Sequence, residues 1–192
     1  HVRVLCVHTQ ALLTELHALA STSASAERGI CARAQNELLS LPEWKALLHA
    51  LHLMGTDLSE VNATLAFAWS RMVVIDNSTA KGRARESHLP PEGLCEALCY
   101  VATLKALPTD ADIAAAGSRN AGAFLDELKA RDALAHADFL HERRIEWGAQ
   151  PSQPPERSVA HLMQVILHRL NSEAGGLDPT SLVRWWKNRR LT

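Results

Sequence analysis

"DLSEVNATLAFAWSRM", residues 57–72, decides how the chain is read. Asp57 or Ser59 can accept hydrogen bonds from the unpaired amides that open a helix, and a short polar entry follows. Leu58, Val61, Leu65, Ala68, Trp69 and Met72 then recur at steps of three and four, the period of one helix face. Such a stripe has to be buried against another element, so this segment is expected to be an amphipathic helix with that face inward.

The same pattern runs outward in both directions. Trp44, Leu47, Leu48, Leu51 and Met54 follow Ser40-Leu41-Pro42-Glu43, a cap with proline in the first turn, and Gly55 is expected to end that helix. Leu5, Leu12, Leu16 and Leu19 form an earlier stripe. Leu94, Leu98 and Val101 follow an opening at Pro90 and Pro91; Phe124, Leu125 and Leu128 come next, then Val159, Leu162, Met163, Ile166 and Leu170. Breaks fall at Pro108-Thr109-Asp110, at "GAQPSQPPE" (148–156) and at "SEAGGLDPT" (172–180). β-branched residues cluster only at "MVVID" (72–76), which continues a helical stripe. The fold class expected is all-α, with about eight or nine helices of roughly 12–20 residues. Antiparallel helix pairs would stack into a short α-solenoid or an irregular helical bundle. The expected organisation is a helical-repeat domain over 1–147, a proline-rich linker over 148–156 and a C-terminal helical pair over 157–192 with a basic last helix.

Composition narrows the function classes. The 192 residues are 47% hydrophobic and 21% charged, enough to build a core and too apolar for wholesale disorder. The net charge of −1 and pI near 6.9 argue against a surface that is basic all over, as a protein coating nucleic acid would have, while leaving room for local basic patches. Cys6, Cys31, Cys95 and Cys99 contain no Cys-x-x-Cys pair, so reduced thiols in an intracellular compartment are expected rather than a disulfide framework. No apolar run approaches the roughly 18 residues of a membrane span. The first residue is His1 rather than Met, as expected of a processed or excised piece; a cleaved organellar presequence and a trimmed chain fit equally.

Three segments open alike: "LSEVNATLAFAWSRM" (58–72), "LPPEGLCEALCYVATL" (89–104) and "PPERSVAHLMQVILHRL" (154–170). The first two start 31 residues apart and the next pair 65 apart, with "GSRNAGAFLDELKARDAL" (117–134) able to fill the gap. A period in the thirties is one that helical-hairpin solenoids use, although capped amphipathic helices in any Ala/Leu-rich domain produce loose matches too. In Leu58, Ser59, Val61, Asn62, Leu65, Ala66, Ala68 and Trp69 the first segment resembles the opening helix of octotricopeptide-type repeats and of the related repeats that precede RAP domains, with Trp69 displaced. Leu89, Pro90, Leu94, Ala97, Leu98 and Ala102 follow it without the tryptophan. The resemblance implies an organellar, all-helical, RNA-associated protein in RNA maturation, translation or ribosome assembly. No terminal RAP domain is recognisable, which leaves nuclease-like activity without support.

Two segments carry the expected contacts. "NSTAKGRARESH" (77–88) reads as a long polar loop with Lys81, Arg83 and Arg85, either simply solvated or touching phosphate or an acidic partner. "LDPTSLVRWWKNRRLT" (177–192) reads as a capped helix in which Arg184, Lys187, Arg189 and Arg190 flank Trp185 and Trp186. Guanidinium groups neutralise phosphate and indole faces stack unpaired bases, although cations near a helix C-terminus also complement its dipole and the tryptophans can dock a protein. "WWKNRR" is also similar to the recognition-helix core of homeodomains through Trp185, Trp186, Asn188 and Arg190, with Leu177 eight residues upstream. That resemblance implies Asn188 reading adenine and Lys187 favouring guanine. Residues 147–159 cannot supply the family's first helix, and the chain ends two residues after Arg190.

Residues suited to catalysis or metal binding are sparse. Cys95 and Cys99 share a helix face without a second pair to complete a metal site, and small buried thiols are the plainer expectation. His136, His141 and Glu142 lack the His-Glu-x-x-His order; His49 with His52, His161 and His168 read as surface or satisfied core imidazoles. No phosphate-binding glycine loop, dinucleotide fingerprint or nucleophile elbow occurs. The sequence therefore predicts a non-catalytic helical-repeat subunit of an organellar ribonucleoprotein, a mitochondrial ribosome or its assembly in particular, without metal, cofactor, membrane or small-molecule substrate. RNA, expected to be ribosomal, and neighbouring protein subunits are its predicted partners. Contacts fall on Lys81, Arg83, Arg85, Arg184, Trp185, Trp186, Lys187, Asn188, Arg189 and Arg190. A protein-interaction scaffold without nucleic acid is the alternative, and DNA binding through residues 177–192 is a second.

Overall fold

The computed structural model describes residues 38–72 and 78–175. They form eight helices: α1 (Leu41–Ala50), α2 (Glu60–Trp69), α3 (Ala80–Ser87), α4 (Pro91–Leu104), α5 (Asp110–Ala116), α6 (Ala121–Arg131), α7 (Ala133–Arg143) and α8 (Pro155–Glu173). Among the described residues there is no strand beyond one isolated antiparallel bridge, Leu39 with Leu89, so the chain is all-α as its periodicity predicts. The amino-terminal stripe, residues 73–76 of the β-branched cluster and the 177–192 helix lie outside the described residues.

The described chain gathers into two compact units, one of residues 38–50 and 64–97, the other of 51–63 and 98–175. In the first, Ser40 caps α1 by donating from its backbone N and its hydroxyl to Glu43 Oε2, at 2.7 and 2.5 Å. This is the return half of the exchange expected of Ser-x-x-Glu at a helix start, with the Glu43 carboxylate taking the Ser40 amide. Trp44, Leu47 and Leu48 are fully buried on that helix. Gly93, on the first turn of α4, approaches the backbone of Ser70 so closely that a Cβ would lie 2.7 Å from the Ser70 carbonyl oxygen.

In the second unit, α6 packs against α5, α7 and α8. Thr109 and Asp112 form a complete capping box at α5. Asp132 ends α6 and caps α7 at once, its carboxylate accepting from the Leu134 and Ala135 amides, so one extended residue turns one helix into two. Gly122 lets α6 approach α8; a Cβ there would fall 2.4 Å from His168 Cβ. Phe124, Leu125 and Leu128 on α6 and Leu162, Met163, Val165, Ile166 and Leu170 on α8 are buried where the two helices pack, so the predicted stripes of α6 and α8 are enclosed except for the half-buried Val159.

Three local expectations are corrected. The first helix ends at Ala50 rather than Gly55. His52 takes a left-handed φ of 51°, and the Leu53 carbonyl is claimed by Lys105 Nζ at 3.0 Å instead of by a helix amide. The stripe expected to be buried around α2 is enclosed only in part: Leu58 is fully buried and Leu65 and Ala68 are half-buried, but Val61, Trp69 and Met72 are 67%, 62% and 49% exposed, while Ala63, Ala66, Phe67 and Ser70 are buried. The inward face is centred on Ala63, Ala66 and Phe67, whose two alanines let the helix pack closely. Lastly, 77–88 is mostly helix rather than loop. Thr79 Oγ1 accepts from Gly82 N at 3.0 Å to start α3, and Ser87 Oγ donates to Arg83 O at 2.8 Å near its end. Of the two caps offered for α2, Ser59 is used, accepting from Asn62 N, while Asp57 is drawn into the interior.

That interior position is held by charge. Lys105 Nζ donates to Asp57 Oδ2 at 2.7 Å, with both side chains almost wholly enclosed. Burial pushes the Lys105 ammonium below the usual lysine range, against the pull of Asp57. His161, 2% exposed, reaches Asp110 Oδ1 at 3.0 Å through Nε2, while its Nδ1 has no hydrogen-bond partner among the described residues.

Candidate functional site

Of the ten residues singled out for RNA, Lys81, Arg83 and Arg85 belong to α3. The side chains of Lys81 and Arg85 and the whole of Arg184, Trp185, Trp186, Lys187, Asn188, Arg189 and Arg190 lie outside the described residues. α3 reads Ala-Lys-Gly-Arg-Ala-Arg-Glu-Ser, and Gly82 is its buried position among those whose exposure is described. A helix without an apolar stripe stays folded through its caps and neighbours rather than by burying a face. Arg83 is exposed, and its Nη1 donates to Ser78 O at 2.6 Å, which ties the guanidinium to the helix entrance. Nearby, Arg71 donates from Nη1 to Glu86 O at 3.4 Å. Positions 81 and 85 stand one turn apart, so α3 spaces its three cations over about 6 Å of rise.

A second concentration of polar groups was not legible as a site. In the unit of residues 51–63 and 98–175, a cleft of about 310 Å³ opens against α6, α7 and α8. Asp126 and Lys129 reach it from α6, His136 from α7, and Arg169, Ser172 and Glu173 from α8. His52 and Leu125 complete the lining. Both carboxylates are engaged: Asp126 Oδ2 lies 3.1 Å from His168 Nε2, and Glu173 Oε1 lies 2.9 Å from His52 Nε2. Arg169 Nη1 donates to the His52 carbonyl oxygen. Burial, then the Lys129 ammonium, holds the His136 imidazolium below the ordinary histidine range; Arg169 acts the same way, while Asp57 and Asp126 oppose it. His52 and His136 stood out in the sequence only as imidazoles, and nothing in the spacing of residues 52, 129, 136 and 169 joins them before the helices pack.

The remaining candidates stay apart from both places. Cys95 and Cys99 are exposed on α4 rather than buried; partial loss of water around the Cys95 sulfur, then the Glu92 carboxylate, still pushes that thiol up. His49 and His141 are exposed. Among the described residues no group of three His, Cys, Asp or Glu side chains is arranged to hold a metal ion, and no helix is long and apolar enough to cross a membrane. No protein-family model matches this chain, and no curated protein or solved structure does either.

Proposed function

We propose that the protein is a non-catalytic helical subunit of a ribonucleoprotein, touching RNA phosphate through the cations of α3 and of residues 184–190. An organellar particle, a mitochondrial ribosome or one of its assembly intermediates, is the setting the sequence resemblance suggests. The observation that supports this best is α3 itself: a polar helix that carries positions 81, 83 and 85 along one short rod, with Arg83 exposed. A helix holds charges at a set spacing, which lowers the entropy lost when they engage a polyanion. The test measures binding of a single-stranded RNA by the whole chain at rising salt. The expected result is affinity that falls steeply with salt, and that drops with K81E/R83E/R85E and again with R184E/K187E/R189E/R190E added. Binding indifferent to salt and to both sets of reversals would overturn the reading.

A protein-scaffold reading draws on a different observation, the exposure of Val61 and Trp69 on α2 and of Met72 just beyond its end. Exposed apolar residues suit a partner's apolar surface. Association through them would survive high salt and weaken with V61S/M72S, while the arginine reversals would leave it unchanged.

A further inference from the structure

We infer that the cleft against α6, α7 and α8 is an oxyanion site, built for a phosphate-monoester dianion held between Lys129, His136 and Arg169. Asp126 and Glu173 each have one oxygen engaged by an imidazole of a neighbouring element, at 3.1 and 2.9 Å. Lys129, the His136 ring and the Ser172 hydroxyl make no hydrogen bond or ion pair among the described residues. Arg169 commits Nη1 to the His52 carbonyl, which leaves the other guanidinium donors uncommitted among the described residues. Lys129, His136, Ser172 and the remaining guanidinium donors of Arg169 therefore line one opening without an acceptor among the described residues.

A cation in the last turn of α6 complements that helix's dipole, which accounts for Lys129 alone. It does not account for His136 and Arg169 meeting it from two other helices. Lys129 and Arg169 are matched in number by Asp126 and Glu173 along the cleft, so the preference for an anion rests on the uncommitted donors and not on net charge. The groups facing His136 are Lys129 and Asp126 from α6, Arg169 from α8 and Asp57 from the segment before α2; Glu173 and His52 line the same cleft. The nearby cations help to keep the imidazole from holding a proton. A dianion lodged among them reverses that effect, so binding takes up a proton at His136 and tightens as pH falls. The cleft's size admits a phosphate group with a small appendage.

The experiment follows the His136 ring by NMR across pH in the whole chain, with sulfate or with chloride at equal ionic strength. Sulfate remains a dianion throughout, so any pH dependence belongs to the protein. The expected result is a His136 titration moved upward by sulfate beyond the chloride control. Sulfate affinity should rise several-fold from pH 8 to pH 6, and Lys129→Gln should weaken it about tenfold at pH 6. His136→Gln, a polar exchange at a half-buried position, should bind sulfate with the pH dependence gone. Adenosine monophosphate, a 5′-phosphorylated oligoribonucleotide and the same oligomer without its phosphate then separate a free metabolite from an RNA end. Sulfate acting no differently from chloride, or Lys129→Gln binding as the parent does, overturns the inference. The site is separate from α3, so failure of either proposal leaves the other standing.

Discussion

Lys105 and Asp57 carry opposite charges into a nearly water-free position, and each makes the other tolerable. Removing one partner strands a buried charge. Lys105→Met is therefore expected to destabilise the chain by about 3–5 kcal/mol, whereas Lys105→Met with Asp57→Leu recovers most of that loss. Urea unfolding of the two variants checks it; equal losses would show the carboxylate is not left stranded. Asp112 gives the pH counterpart. Burial acts to raise its pKa, but hydrogen bonds from Thr109 N and Oγ1, with Arg143 at 3.1 Å, outweigh it and hold the carboxyl below its ordinary range. A depressed folded-state value means stability that is present above the ordinary carboxylate range and lost as pH falls through the folded value. Asp112→Asn should cost about 1 kcal/mol at neutral pH and flatten the acid limb of a stability profile. The capping box was not foreseen, although Thr-x-x-Asp lay open in the sequence beside Pro108.

At the scale of elements, the stripes of α1, α4, α6 and α8 were readable because each helix buries its strongest apolar face. α2 was not, because two faces compete. Leu65, Trp69 and Met72 outweigh Ala63, Ala66, Phe67 and Ser70 in apolar mass, yet the slimmer face is the one more fully buried. Ala66→Leu should therefore destabilise by about 1–3 kcal/mol through overpacking, and Val61→Ser should stay within about 0.5 kcal/mol. The reverse order in thermal unfolding would put the large stripe back inside. α3 escaped notice for another reason: it has no stripe at all, and a helix held by Thr79 and Ser87 looks like a loop to any periodicity test. Between α6 and α8 the contact at Gly122 leaves no space for a methyl group, so Gly122→Ala should cost about 1–3 kcal/mol despite the better helix propensity of alanine.

For the molecule as a whole, a net charge of −1 limits how far RNA affinity can rest on electrostatics. If all seven basic side chains at 81, 83, 85, 184, 187, 189 and 190 meet single-stranded phosphate, affinity should fall with a log–log salt slope of about −5, and reversing the three on α3 should remove about 2 of it. A slope near zero would favour the scaffold. The all-α class followed from periodicity spread along the chain, whereas the cleft depended on residues as far apart as 52 and 173, which no local pattern joins. The Leu39–Leu89 bridge has a consequence of its own. Each residue donates to the other's carbonyl at 2.8 Å, and both are fully enclosed. In heavy water these two amides, though outside any helix, should keep their protons about as long as the core of α1 and α4. They act as a clasp, and their simultaneous deuteration would time the opening of the segment they close.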